Sequence, residues 1–132
     1  MLLLAVRWTH LLAAAVWTGG LLTLAALVPA LRRAGADRAM LQAAARRFGV
    51  VSWAAMGVAI GSGLLQVHLM NLPWAFGKLH LKLGMVGITV AITLYHQLTA
   101  RHSSPAARGA VQGLILLASL GVFAAAVHLG AS

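Results

Sequence analysis

The stretch "MLLLAVRWTHLLAAAVWTGGLLTLAALVPALRR", Met1 to Arg33, decides the fold class. It is far longer than the roughly 20 apolar residues a helix needs to cross a bilayer. Its start resembles a secretion signal, but Arg7 lies inside the apolar run rather than before it. The run also exceeds the apolar length of a cleaved signal. It therefore reads as a retained spanning helix over about residues 3–31, with Pro29 near an interface and Arg32 and Arg33 as its end anchor.

Working outward, three more apolar runs follow. "FGVVSWAAMGVAIGSGLLQVHLM" predicts a helix over about 48–70, and "LHLKLGMVGITVAITLYH" lies within a third helix over about 78–101. The last covers about 106–130, with Ser104 placed to cap its start. Between them, "RRAGADRAMLQAAARR" is a basic connection with room for a short surface helix. "NLPWAFG" is a turn broken by Pro73 and Gly77, with Trp74 and Phe76 suited to the membrane interface. Short connections between spanning helices predict an all-α fold, an integral membrane up-down-up-down four-helix bundle forming a single domain over 1–132.

Composition agrees. The 132 residues are 61% hydrophobic and 8% charged. The mean hydropathy is +0.92. Soluble domains are nearer half apolar and a quarter charged. Ten Lys and Arg face the single acid Asp37, for a net charge of +9. Most of these bases sit at the ends of apolar runs and none forms a block interleaved with aromatics, so a lipid bilayer is the expected partner and nucleic acid is not. The connection with Arg32, Arg33, Arg38, Arg46 and Arg47, and the one with Arg101 and Arg108, outweigh Arg7, Lys78 and Lys82 at the opposite ends. The positive-inside rule then places both Arg-rich connections in the cytoplasm and both termini on the outer side of a bacterial plasma membrane.

The chain has no Cys and no Glu. Disulfides, iron–sulfur clusters, carboxylate-pair catalysis and calcium sites lose their usual ligands. Site chemistry falls to histidine. His10, His68, His80 and His128 each lie about 20 to 22 residues from the inner end of their predicted helix. At 1.5 Å per residue that is one level, roughly 30 Å up. His68 shares a face with Gly57 and Gly61, His80 with Gly84, Gly87 and Ala91, His128 with Gly121 and Ala124, and His10 with Trp17 and Leu21. Small residues beneath an imidazole leave room for a flat macrocycle, although interfacial histidines and small-residue packing are the plainer reading for any one of them.

Neutral imidazoles suit haem iron, copper or zinc. Haem b comes first, because histidines from two helices can take both axial positions within an apolar bundle. Copper comes second, since His68 and Met70 offer an imidazole and a thioether. Zinc is third for want of a carboxylate base. On the other side of the third helix Lys82, Thr89, Thr93 and His96 make a thin polar seam. It suits a haem propionate, a quinone head or inward proton passage. Its plainer reading is snorkelling by Lys82 and threonine hydroxyls bonded to the preceding turn. Arg7, one turn before His10, suits a propionate or an anchoring role.

"RWTHLLAAAVWTGGLL" resembles the first helix of the CopD-type copper-resistance membrane domain and of the HemJ-type protoporphyrinogen oxidases. "ARRFGVVSWAAMGVAIGSGLLQ" resembles the second CopD helix. "LHLKLGMVGITVAITLYHQ" is similar to the third helix of both, nearest the HemJ pattern of His-x-Lys followed by Tyr-His. The resemblance implies a four-helix membrane protein that binds haem b or copper. His10 and Lys82 match the HemJ histidine and lysine of functional importance. At the end of the first helix the chain has "LVPALRR" where HemJ proteins carry an Arg followed by an aromatic-His pair. The expected function is therefore haem-linked redox work, electron transfer or oxidation coupled to a quinone or a respiratory-complex subunit. His10 and His80 are the first ligand pair. His68 and His128 form a second pair for another haem or copper, with a homodimer relieving the crowding of two haems. The other expectations are CopD-like copper binding or uptake and a structural subunit of a membrane complex.

Overall fold

The computed structural model describes residues 1–73, 77–99 and 102–130, with side chains to residue 128. Trp74, Phe76 and Arg101 lie outside the described residues. The described chain is all-α, with α1 (Leu2–Arg33), α2 (Arg38–Leu69), α3 (Gly77–Thr99) and α4 (Pro105–Gly130). All four are long and apolar enough to cross a membrane. Of the residues in their most apolar windows, 11% to 22% are buried. The chain divides into two units, residues 1–72 and 73–132, holding the α1–α2 and α3–α4 hairpins.

The second helix begins ten residues earlier than the apolar run predicts. It is a continuous 32-residue helix that absorbs the basic connection. The reason is local. Gly35 takes a left-handed φ of +85° after α1. The Ala36 N–H then donates to the Leu31 carbonyl and the Gly35 N–H to the Arg32 carbonyl, closing a Schellman motif. Asp37 follows at once as N-cap, its Oδ1 accepting from the Met40 N–H at 2.7 Å. "AMLQAAARR" then holds only good helix formers. Residues 34–37 are thus the whole link, and α1 matches α2 at 32 residues, about 48 Å each.

The buried face of α1 is Val6, Ala13, Trp17, Thr18 and Leu21, with His10 half-buried in the same stripe. Spacings of three and four residues mark one helical face. On α2, Ser52, Ala55, Met56 and Val67 are buried. Two close approaches set the register: Phe48 fills the place of a side chain at Gly20, and His10 rests against Gly63. The α2 helix ends in a second Schellman motif, with Asn71 taking the left-handed position (φ 50°). The Asn71 N–H donates to the His68 carbonyl and the Leu72 N–H to the Val67 carbonyl.

In the second unit Ser104 caps α4 as expected, its Oγ accepting from the Ala107 N–H at 3.2 Å, with Pro105 as first helical residue. Thr89, Ile115 and Ser119 are its most buried side chains. The Met85 methyl occupies the space above Gly121.

Candidate functional site

His10 is held across the α1–α2 helix pair. Its Nδ1 lies 2.8 Å from the Ala59 carbonyl oxygen and 3.2 Å from Ser62 Oγ. A carbonyl oxygen can only accept, so Nδ1 is the donor in this contact. The Ser62 hydroxyl donates its own proton to the Val58 carbonyl at 2.6 Å and therefore offers His10 a lone pair. Gly63 makes the approach possible. A Cβ there would stand 3.2 Å from Cε1 and 3.5 Å from Nδ1 of the ring. The sequence reading singled out His10 but missed Ala59, Ser62 and Gly63. The "GSG" at 61–63 was the available signal, since small residues permit close approach of a ring to a helix backbone.

Within this hairpin His10 and His68 do not share one level. His10 meets α2 at Ala59 to Gly63, whereas His68 lies five residues past Gly63, roughly 8 Å farther along the helix. His68 is also exposed, on a different face from the packed residues. Arg7 Nη2 donates to the Met70 sulfur at 3.6 Å. A guanidinium beside that thioether disfavours a second cation on the same sulfur.

On α3 the two faces differ in burial. Lys82, Thr93 and His96 are half-buried and Thr89 is 1% exposed, on the face shared with buried Leu79. His80 is exposed. Its glycine stripe is open, since a Cβ added at Gly84 or Gly87 would meet nothing within 4 Å. The same is true of Gly57 and Gly61 on the His68 face, but the Gly121 notch on the His128 face is filled by Met85. His128 itself is exposed. The threonines of the seam do not form a relay. Thr89 donates to the Met85 carbonyl at 2.7 Å and Thr93 to the Thr89 carbonyl at 2.8 Å, so both hydroxyl protons stay within the helix. His96 faces Gln112 and Arg108 of α4.

Two further polar atoms lie buried without a partner among the described residues: Trp17 Nε1 and Thr18 Oγ1. The other threonines, Thr9, Thr23, Thr89, Thr93 and Thr99, each donate to the carbonyl four residues back. Thr18 alone does not, so its hydroxyl points elsewhere. Among the described residues no three or more His, Cys, Asp or Glu side chains gather as a metal site. Two axial imidazoles do not require such a group. No protein-family model, no curated protein and no solved structure matches the chain.

Proposed function

We propose that the chain is a membrane-integral haem b protein of the bacterial inner membrane, an up-down-up-down bundle with both termini outward, in which His10 and His80 would hold the haem. The observation that carries this reading is the 2.8 Å contact between His10 Nδ1 and the Ala59 carbonyl. A ligand imidazole is typically held in this way, its other nitrogen donating to a backbone carbonyl so that tautomer and ring orientation are fixed. Gly63 admits the His10 ring against the α2 backbone.

When bound, haem b supplies one-electron redox chemistry, with a quinone or a respiratory-complex subunit as the partner. The chain's own part is to orient and to exclude water. The Ala59 carbonyl and Ser62 Oγ hold the His10 ring, and the apolar spans keep the surroundings dry. Lys82, half-buried on α3, is the candidate cation for a propionate or a quinone oxygen. The copper reading is weakened by Arg7 beside Met70. A structural-subunit reading draws on the same His10 contact, because an interhelical hydrogen bond also joins helices in lipid.

A visible spectrum of the purified, dithionite-reduced protein tests the proposal. A b-type Soret and α band supports it, and His10→Ala or His80→Ala should abolish that signal. Colourless protein with bound copper overturns the haem assignment, and colourless metal-free protein selects the structural reading.

A further inference from the structure

The α1–α2 hairpin is longer than a bilayer needs. From Phe48 to Leu69, α2 has 22 residues, about 33 Å, which already matches a hydrocarbon core of roughly 30 Å. From Arg38 to Phe48 it continues for about 15 Å more. Because Phe48 packs on Gly20, the part of α1 beyond Gly20 runs alongside this extension. Headgroups and interface add only about 5 to 8 Å on each side of the core. The end of the hairpin therefore crosses the headgroup layer of one leaflet.

This end is strongly cationic. Arg32, Arg33, Arg38, Arg46 and Arg47 are all exposed. They are half of the ten basic residues in the chain. The sole acid, Asp37, has one carboxylate oxygen engaged in capping α2 and leaves the tip with a formal charge of +4 over residues 32–47, five arginines less one aspartate. Exposed apolar side chains lie among them: Leu27 and Leu31 on α1 and Met40 on α2. A cluster of exposed arginines at one end of a helix pair matches a surface of phosphates. Arginine forks pair well with phosphate oxygens, and each basic residue near an anionic leaflet adds to the attraction.

We infer that the α1–α2 tip, through Arg32, Arg33, Arg38, Arg46 and Arg47, selects anionic phospholipid headgroups in its leaflet, holding a shell of acidic lipid around the hairpin. This rests on the membrane reading of the chain and not on haem binding. The phosphates supply the counter-charge that the protein lacks.

The test uses the full chain in phosphatidylcholine nanodiscs doped with spin-labelled phosphatidylglycerol or spin-labelled phosphatidylcholine. The motionally restricted fraction in each electron paramagnetic resonance spectrum gives the preference. The wild type should restrict the glycerol lipid several-fold more than the choline lipid. Raising salt towards about 1 M, where the screening length is about 3 Å, should bring the ratio close to one. In Arg38→Gln/Arg46→Gln/Arg47→Gln the preference should fall, by up to about fivefold for each arginine that contacts a headgroup. The corresponding triple lysine variant should retain most of it. Equal restriction of the two lipids by the wild type, or an unchanged preference in the glutamine variant, would overturn the inference. So would tight binding of the tip to an acidic polypeptide with no lipid preference. A chain that fails to enter the discs overturns the membrane reading as well, which separates the two failures. If the triple variant does not fold, the salt response of the wild type decides alone.

Discussion

His10 Nδ1 sits 2.8 Å from the carbonyl oxygen of Ala59, across the α1–α2 interface. That contact joins the two helices and fixes which ring nitrogen holds the proton. Its removal should therefore register twice. His10→Ala should abolish the Soret band and also loosen the hairpin by about 0.6 kcal/mol, with roughly 1.7 kcal/mol as the upper end for such bonds in membranes. Absorbance and a denaturation curve in detergent read the two effects separately. A variant with weakened stability and an intact spectrum would remove His10 from the ligand set.

Gly63 should be sensitive where Gly57 is not. A Cβ at Gly63 stands 3.2 Å from the His10 ring, whereas one at Gly57 meets nothing within 4 Å. Gly63→Ala should displace the ring by a few tenths of an ångström and shift the low-spin EPR g-values of the ferric protein. Gly57→Ala should leave them in place. Equal spectra in both variants would show that the ring is not seated as described.

Asn71 should accept glycine and reject β-branched residues. It holds a left-handed φ of 50° at the end of α2. Asn71→Gly should be neutral or stabilising by a few tenths of a kcal/mol, since glycine occupies that region without steric cost. Asn71→Val should cost about 1 to 2 kcal/mol. Unfolding midpoints in detergent should order the variants Gly, Asn, Val from highest to lowest.

Thr18 should be dispensable for stability. Its buried hydroxyl has no partner, and losing such a group frees the fold of a desolvation cost. Thr18→Val should be neutral or stabilising by up to about 1 kcal/mol. A marked loss of stability or of haem in Thr18→Val would show that the hydroxyl serves a bound molecule.

Asp37→Ala should cost about 1 kcal/mol through loss of the α2 cap, and Asp37→Asn much less. Helical content by circular dichroism during thermal unfolding resolves the two.

The four helices were legible because each carries an apolar run that water would not tolerate. The start of α2 was not read correctly, although its signal was present. Gly35 two residues before Asp37 marks one helix ending and another beginning, and polar helix formers continue it where hydropathy falls. Charge masked a helix that propensity and capping specify. On α3 the periodicity correctly separated His80 from Lys82, but a period names faces without saying which one is packed. Thr89, beside Leu79 on the Lys82 face, was the discriminating residue, and its burial follows from a hydroxyl satisfied within its own helix. The depth argument placed His10 and His68 together because it measured from an α2 start ten residues too late. Ala59 and Ser62 were invisible for a simpler reason: a backbone carbonyl and a back-bonded serine carry no compositional mark.

The two seats at Gly20 and Gly63 have a mechanical consequence. They lie fifteen residues apart along α2 from Phe48 to Gly63, about 22 Å. A slide of one helical turn would carry the Phe48 ring from Gly20 onto Val16 or Leu24, where a side chain already stands. Axial ratcheting is thereby blocked, while rocking is not.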